Sequence, residues 1–252
     1  MLYLQHYISI LLLTTCLSSF SQYSDSTSTA IEEESSTEDA GQEESQAATN
    51  YFILRSAIPM KKKSKVYNNS LILLDNSIDY AVTDKFSLGG GLTLIFPNIS
   101  AKFSGRIANN TYLGAATKVI IAYTGDDTNI LSTIYSVVTF GKLKNNLSVN
   151  GGIIRSDSQV TYNSNSATSP FVAVNWKFKV GKGFYLMADN AAVFVDGKVG
   201  FGSLVGTRIY IHKNKVALNI AIPVTKGDNE VSLGLLGGGA PVVPYVGITV
   251  AW

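Results

Sequence analysis

The chain has 252 residues, of which 46% are apolar and only 15% charged, with 22 Gly and 24 Tyr plus Phe. That mix fits many short strands with tight turns and argues against a helical protein. The net charge of +2 hides a division: residues 1–50 hold eight acids and no base, so 51–252 carries all 20 bases, ten acids and a net +10.

Residues 1–21 read as a secretory signal peptide. Ile8–Leu13 is its apolar core, and Ser19 and Ser21 are the small residues ahead of a cut before Gln22. The segment lacks the usual basic start. Leu13-Thr14-Thr15-Cys16 is the alternative, a lipidation site at the single cysteine, with Thr15 where a smaller residue is usual. Removal of the leader takes Cys16 with it and leaves a chain that has no disulfide to draw on.

Residues 22–50 are Ser, Thr, Glu, Gln and Ala with almost no aliphatic content. Such a stretch buries too little to offset its ordering entropy, and we expect a disordered acidic tether. Its acidity also allows contact with, or entry into, the basic part of the chain.

From Tyr51 the pattern turns to period two. Strands are expected at 51–58, 69–82, 86–96, 101–108, 111–123, 130–140, 147–155, 170–180, 184–194, 200–211, 215–223 and 242–252. Compact turns at Asp84-Lys85, Asn109-Asn110, Lys142–Asn145, Gly181–Gly183 and Lys213-Asn214 use residues that tolerate hairpin geometry. No apolar window of 18 or more residues follows residue 20, so no membrane helix is indicated.

The connections sort into two sets. The five compact turns fall on one side, and Pro59–Asn68, Gly125–Asn129, Asp157–Ser169 and Val224–Pro241 fall on the other. Short turns on one rim and longer loops on the other are expected of bacterial membrane barrels. Faces sort as well. Phe103 and Ile107 oppose Lys102, Ser104 and Arg106, and Val172, Val174, Trp176, Phe178 and Val180 oppose Asn175, Lys177 and Lys179. A mid-strand Lys or Arg facing lipid costs about 2–4 kcal/mol. The charges are therefore assigned to a polar lumen and the apolar residues to the outside; a soluble barrel, the architectural alternative, has the reverse.

The last strand alternates through Val242, Val246, Ile248 and Val250 and stops on Trp252. A terminal strand ending in an aromatic resembles Gram-negative outer-membrane β-barrel proteins. In those proteins the terminal residue is where the insertion machinery engages, which would make Trp252 an insertion signal. Residues 51–91, notably Asp79-Tyr80-Ala81-Val82-Thr83-Asp84-Lys85-Phe86-Ser87-Leu88-Gly89-Gly90-Gly91, resemble an uncharacterised exported barrel group with a YGVTDNFSIGGG-like segment. Ala81 and Lys85 replace its usual Gly and Asn. The resemblance implies fold and outer-membrane location, and no activity.

The fold expected is thus an all-β, antiparallel up-and-down transmembrane barrel of about 12 strands, within 10–14. Its domains are a signal peptide (1–21), an acidic tether (22–50) and a barrel (51–252), with 51–58 and 215–223 flanking the closing strand. The lumen candidates are Asp75, Asp79, Lys102, Arg106, Lys118, Lys177, Lys179, Asp189 and Arg208, an excess of three positive charges. They either fill a small barrel with salt bridges or line a narrow, mildly anion-preferring channel. Lys61, Lys62, Lys63 and Lys65, placed in the first outer loop, are either a solvated tip or a contact for lipopolysaccharide phosphates.

Partners expected are outer-membrane lipid, lipopolysaccharide and the insertion machinery, not nucleic acid, because the basic run lacks interleaved aromatics. Catalysis is not expected. One histidine, His212, survives the leader, which leaves no metal cluster of the usual kind and no Ser/His/Asp set. Gly125-Asp126-Asp127-Thr128-Asn129 reads as a turn rather than a cation loop, and Gly200–Gly206 as strand glycine rather than a nucleotide loop. No cofactor is implied. The alternative to a structural or narrow-channel barrel is one whose loops bind a surface or partner, or a soluble exported barrel.

Overall fold

A computed structural model describes residues 49–70, 75–93, 95–124, 127–160, 163–195, 197–212, 215–226 and 245–252. The leader with Cys16, the acidic segment up to residue 48 and the 227–244 connection lie outside the described residues. Twelve strands are formed: β1 (Lys65–Ser70), β2 (Asp75–Ala81), β3 (Phe86–Thr93), β4 (Phe96–Ala108), β5 (Thr111–Thr124), β6 (Asp127–Gly141), β7 (Asn146–Val160), β8 (Asn163–Gly181), β9 (Phe184–Val195), β10 (Lys198–His212), β11 (Val216–Lys226) and β12 (Tyr245–Ala251). Each pairs antiparallel with its sequence neighbour, and β12 pairs with β1 to close the barrel. Closure removes the exposed sheet edges that an open array would present.

The period-two pattern sets the two faces. On β4, Asn98, Ser100, Lys102 and Ser104 are buried inside, while Ile99, Phe103 and Ile107 are exposed outside. β12 turns Tyr245, Thr249 and Ala251 inward and leaves Ile248 and Trp252 exposed. One rim carries Trp252, the connections 82–85, 109–110, 142–145 and 182–183, and Lys215 ahead of β11; we call it the near rim, and the expected Lys213-Asn214 turn lies outside the described residues. Asn110 and Gly183 hold positive φ in two of its turns, 52° and 75°, as tight hairpins need. Bulges in β4, β8 and β10 fall beside this rim, a usual place for them in barrels.

The strand count matches the sequence reading, but the identity of the first strand does not. Residues 51–58 form no wall strand; β12 pairs with β1, from Val66↔Ala251 to Ser70↔Gly247. The stretch read as one strand over 69–82 divides between β1 and β2. The expected asymmetry of loop length is also reduced. The 157–169 connection is mostly strand, because β7 and β8 stay paired out to Val160↔Asn163. Asp127, Thr128 and Asn129 likewise belong to β6.

Candidate functional site: the filled lumen

Residues 49–60, ahead of β1, run inside the barrel, and 61–64 turn at the near rim into β1. They begin as a tight hairpin: Asn50 bridges Arg55, Tyr51 N–H donates to Leu54 O at 3.0 Å, and Ser56 N–H to Thr49 O at 3.0 Å. Both legs point to the near rim. The Tyr51 hydroxyl donates to Asn146 Oδ1 at the start of β7 (2.5 Å). The Lys62 amide reaches Asp84 in the 82–85 turn (2.8 Å). The tip stands deeper, where the Ile53 and Leu54 amides donate to Asp189 Oδ2 at 2.7 and 3.2 Å, midway along β9.

The wall meets this hairpin with charge placed on its backbone. Lys102 Nζ donates to the carbonyls of Ser56 (3.3 Å) and Ile58 (3.0 Å). Arg208 donates to Asn50 O (2.8 Å) and Tyr51 O (3.2 Å), and its Nε to Asn219 Oδ1 (2.6 Å). Arg55 returns the contact with its own charge, reaching Asp79 Oδ1 at 2.5 Å and Ser100 Oγ at 2.9 Å. The Ala57 amide donates to Thr139 Oγ1 at 2.7 Å. A hairpin segment lacks ladder partners for its N–H and C=O groups, so buried side chains must supply them.

Packing completes the seal. Tyr51 and Phe52 lie in a cluster with Tyr185, Met187, Leu204, Ala221 and Tyr245. Ala57 and Leu54 join Tyr135, Val137, Phe171 and Val193, and Met60 joins Val66, Ala81 and Ala251. The lumen is therefore mixed rather than purely polar: it has two linings, charge on the hairpin backbone and apolar contact on its side chains.

The nine lumen candidates divide accordingly. Asp79, Lys102, Lys177, Asp189 and Arg208 are buried inside. Asp75 and Lys118 pair at 2.9 Å beyond the hairpin tip, half-exposed, with Thr93 and Asn98 also donating to Asp75. Arg106 and Lys179 share the inward register but are exposed at the near rim, beside the bulges of β4 and β8. Arg55 is the charge the sequence reading lacked. Counting it, the lumen proper holds Arg55, Lys102, Lys118, Lys177 and Arg208 against Asp75, Asp79 and Asp189, an excess of two rather than three.

Lys61, Lys62, Lys63 and Lys65 are exposed but are not in an outer loop. Lys63 N–H bonds Ala81 O, and Lys65 exchanges backbone bonds with Trp252, which puts the run at the near rim with the C-terminus. Trp252 is 54% exposed on the outer face. Gly200–Gly206 lies within β10, and His212 ends that strand, its side chain outside those described. Among the described residues no three His, Cys, Asp or Glu are grouped to hold a metal ion. Comparison of the sequence with protein-family models and with curated proteins gives no match.

Proposed function

We propose that the chain is an outer-membrane β-barrel of structural or narrow-channel type whose lumen is stopped by its own residues 49–60. The outer surface carries this reading. Ile99, Ile134, Val149, Ile153, Val172, Val205, Ile220 and Ile248 are all exposed there. Exposed aromatics stand near the strand ends: Tyr80, Phe140, Phe178 and Trp252 by the near rim, Tyr123, Phe194 and Phe201 by the other. Soluble monomers rarely expose an apolar patch above roughly 300–600 Å², and aromatic rings at both boundaries suit two membrane interfaces.

Outward charge is sparse among the described side chains of the wall. Lys65 opens β1, and Arg155, bonded to Asp157 at 2.9 Å, lies on the far reach of β7. Strands β4–β11 run 11–19 residues, against the ~9–11 that a tilted crossing takes. The seam differs. β1 has 6 residues and β12 has 7, and the outward Tyr67, Asn69 and Asn76 form a polar cluster there.

In this reading the near rim faces the periplasm, so the Lys61–Lys65 run is turned away from lipopolysaccharide. Trp252 serves the insertion machinery. With the hairpin in place the lumen is shut. If it left, Lys102, Lys177 and Arg208 would remain against Asp79 and Asp189, a mild preference for anions. No catalysis is assigned. A second reading, a barrel that binds a partner from outside, is favoured by β8, which starts at Asn163 and so runs past its first pair with β9, Phe171↔Val193, at the rim away from the termini.

The test is fractionation of cells that express the full chain. We expect recovery in the outer membrane and a folded band that shifts on heating in a detergent gel. Recovery in the soluble periplasm with no heat shift refutes the membrane reading.

A further inference from the structure

The basic residues are not spread evenly over the molecule. Every connection at the near rim either carries a base or has one folded over it. Lys62 lies in the 61–64 turn, Lys85 in 82–85, Lys142 in 142–145, Lys182 in 182–183 and Lys215 ahead of β11, and all are exposed. Arg106 folds over the 109–110 turn, donating to Ala108 O and Asn109 Oδ1. The acid described among these turns is Asp84, and its carboxylate already accepts the Lys62 amide. At the opposite rim the described charged side chains outside the lumen are Lys198 and the Arg155–Asp157 pair.

We infer that this ring of Lys and Arg binds the anionic phospholipid headgroups of the leaflet around the near rim, an inference that rests on the membrane reading above. Two observations favour a lipid leaflet over a protein partner. First, the bases follow the whole circumference, from the lead into β1 through the β2–β3, β4–β5, β6–β7, β8–β9 and β10–β11 turns. A leaflet touches a barrel on all sides, whereas a docked protein covers one. Second, the ring sits just beyond the outward Tyr80, Phe140, Phe178 and Trp252. Aromatics at the boundary put the next residues out at headgroup depth, where long Lys stems reach phosphate while their methylenes stay on apolar surface.

The two tryptophans report on this leaflet. Trp252 follows β12 at the ring, exposed outward, and Trp176 lies on the outward face of β8, 5.4 Å between its ring centroid and that of Phe178. The experiment inserts the full chain into phosphatidylcholine vesicles containing either brominated phosphatidylglycerol or brominated phosphatidylcholine and reads quenching of tryptophan fluorescence. Quenching by the anionic lipid should exceed that by the neutral one by about twofold at low salt. It should fall towards parity at high salt, where screening makes the attraction short-ranged, and in a variant with Lys62, Lys85, Lys142, Lys182 and Lys215 changed to Gln. Strong but equal quenching at low salt overturns the ring while leaving the barrel in the membrane. Absence of quenching by either lipid overturns both. An anionic preference that emerges only after deletion of residues 22–44 would assign the ring to the chain's own acidic segment and overturn the proposal.

Discussion

Arg55 and Asp79 meet at 2.5 Å inside the barrel, one from a segment that is no part of the wall and the other from β2. Their side chains are 14% and 2% exposed, and Ser100 on β4 takes a second guanidinium bond. The pair ties the lumen segment to the wall beside the β1–β12 seam, where the ladders are shortest. Breaking a buried pair by removing one partner leaves the other charge uncompensated. Arg55→Ala should therefore destabilise the folded barrel by about 3–5 kcal/mol, measured by denaturant unfolding in detergent. Arg55→Leu combined with Asp79→Leu should recover part of that loss, because no lone charge remains. An Arg55→Ala barrel as stable as the parent would show that the pair does not hold the segment.

Gly89 lies on β3 opposite Asp79. A Cβ there would collide with the Asp79 carboxylate and come within 2.6 Å of Ser100 Oγ, the two groups that hold Arg55. Gly105, on the outer face of β4, has nothing within 4 Å of the same added carbon. Gly89→Ala should lower stability by about 1–3 kcal/mol, as overpacking does. Gly105→Ala should raise it by about 0.5 kcal/mol through the lost backbone freedom of glycine. Parallel unfolding of the two variants checks both signs.

Lys102 holds the Ser56 and Ile58 carbonyls, and Arg208 holds those of Asn50 and Tyr51. Lys102→Met should speed amide exchange over residues 56–60, and Arg208→Met over 49–54, while the strand ladders keep their protection. Exchange that rises evenly across β4–β11 instead would mean that these side chains support the wall and not the segment.

Trypsin offers a simpler check. Lys61, Lys62 and Lys63 are exposed in a turn, while Arg55 is enclosed with its amide bonded to the Tyr135 hydroxyl. Cleavage of the folded protein should occur at 61–63 and spare the Arg55–Ser56 bond, read by mass spectrometry. Prompt cutting after Arg55 in the folded state would contradict the lumen placement.

The wall was largely legible in the sequence because each strand shows its two faces in turn. Lys102 beside Phe103, and Lys177 beside Phe178, suffice to orient β4 and β8. Tyr51–Ile58 misled because an apolar stretch satisfies a lumen core as well as an outer face, and nothing local separates the two. β1 was hidden for the converse reason: its outward Lys65, Tyr67 and Asn69 are polar, so the alternation that marks its neighbours is missing. Asp157–Ser169 resembles a loop in composition, yet ladder hydrogen bonds need no apolar side chains and the strands continue. The partner of Asp79 could not be found at all, since Arg55 is brought to it by the path of the hairpin and not by register.

Planar-bilayer recording of the full chain tests the central claim most directly, that the barrel crosses a membrane with its lumen stopped by residues 49–60. The account predicts stable insertion with no steady conductance, and a narrow, mildly anion-preferring current once residues 49–60 are deleted from a chain that still gives the heat-modifiable band. A steady current through the intact chain, or an equally silent folded barrel without the hairpin, would contradict it.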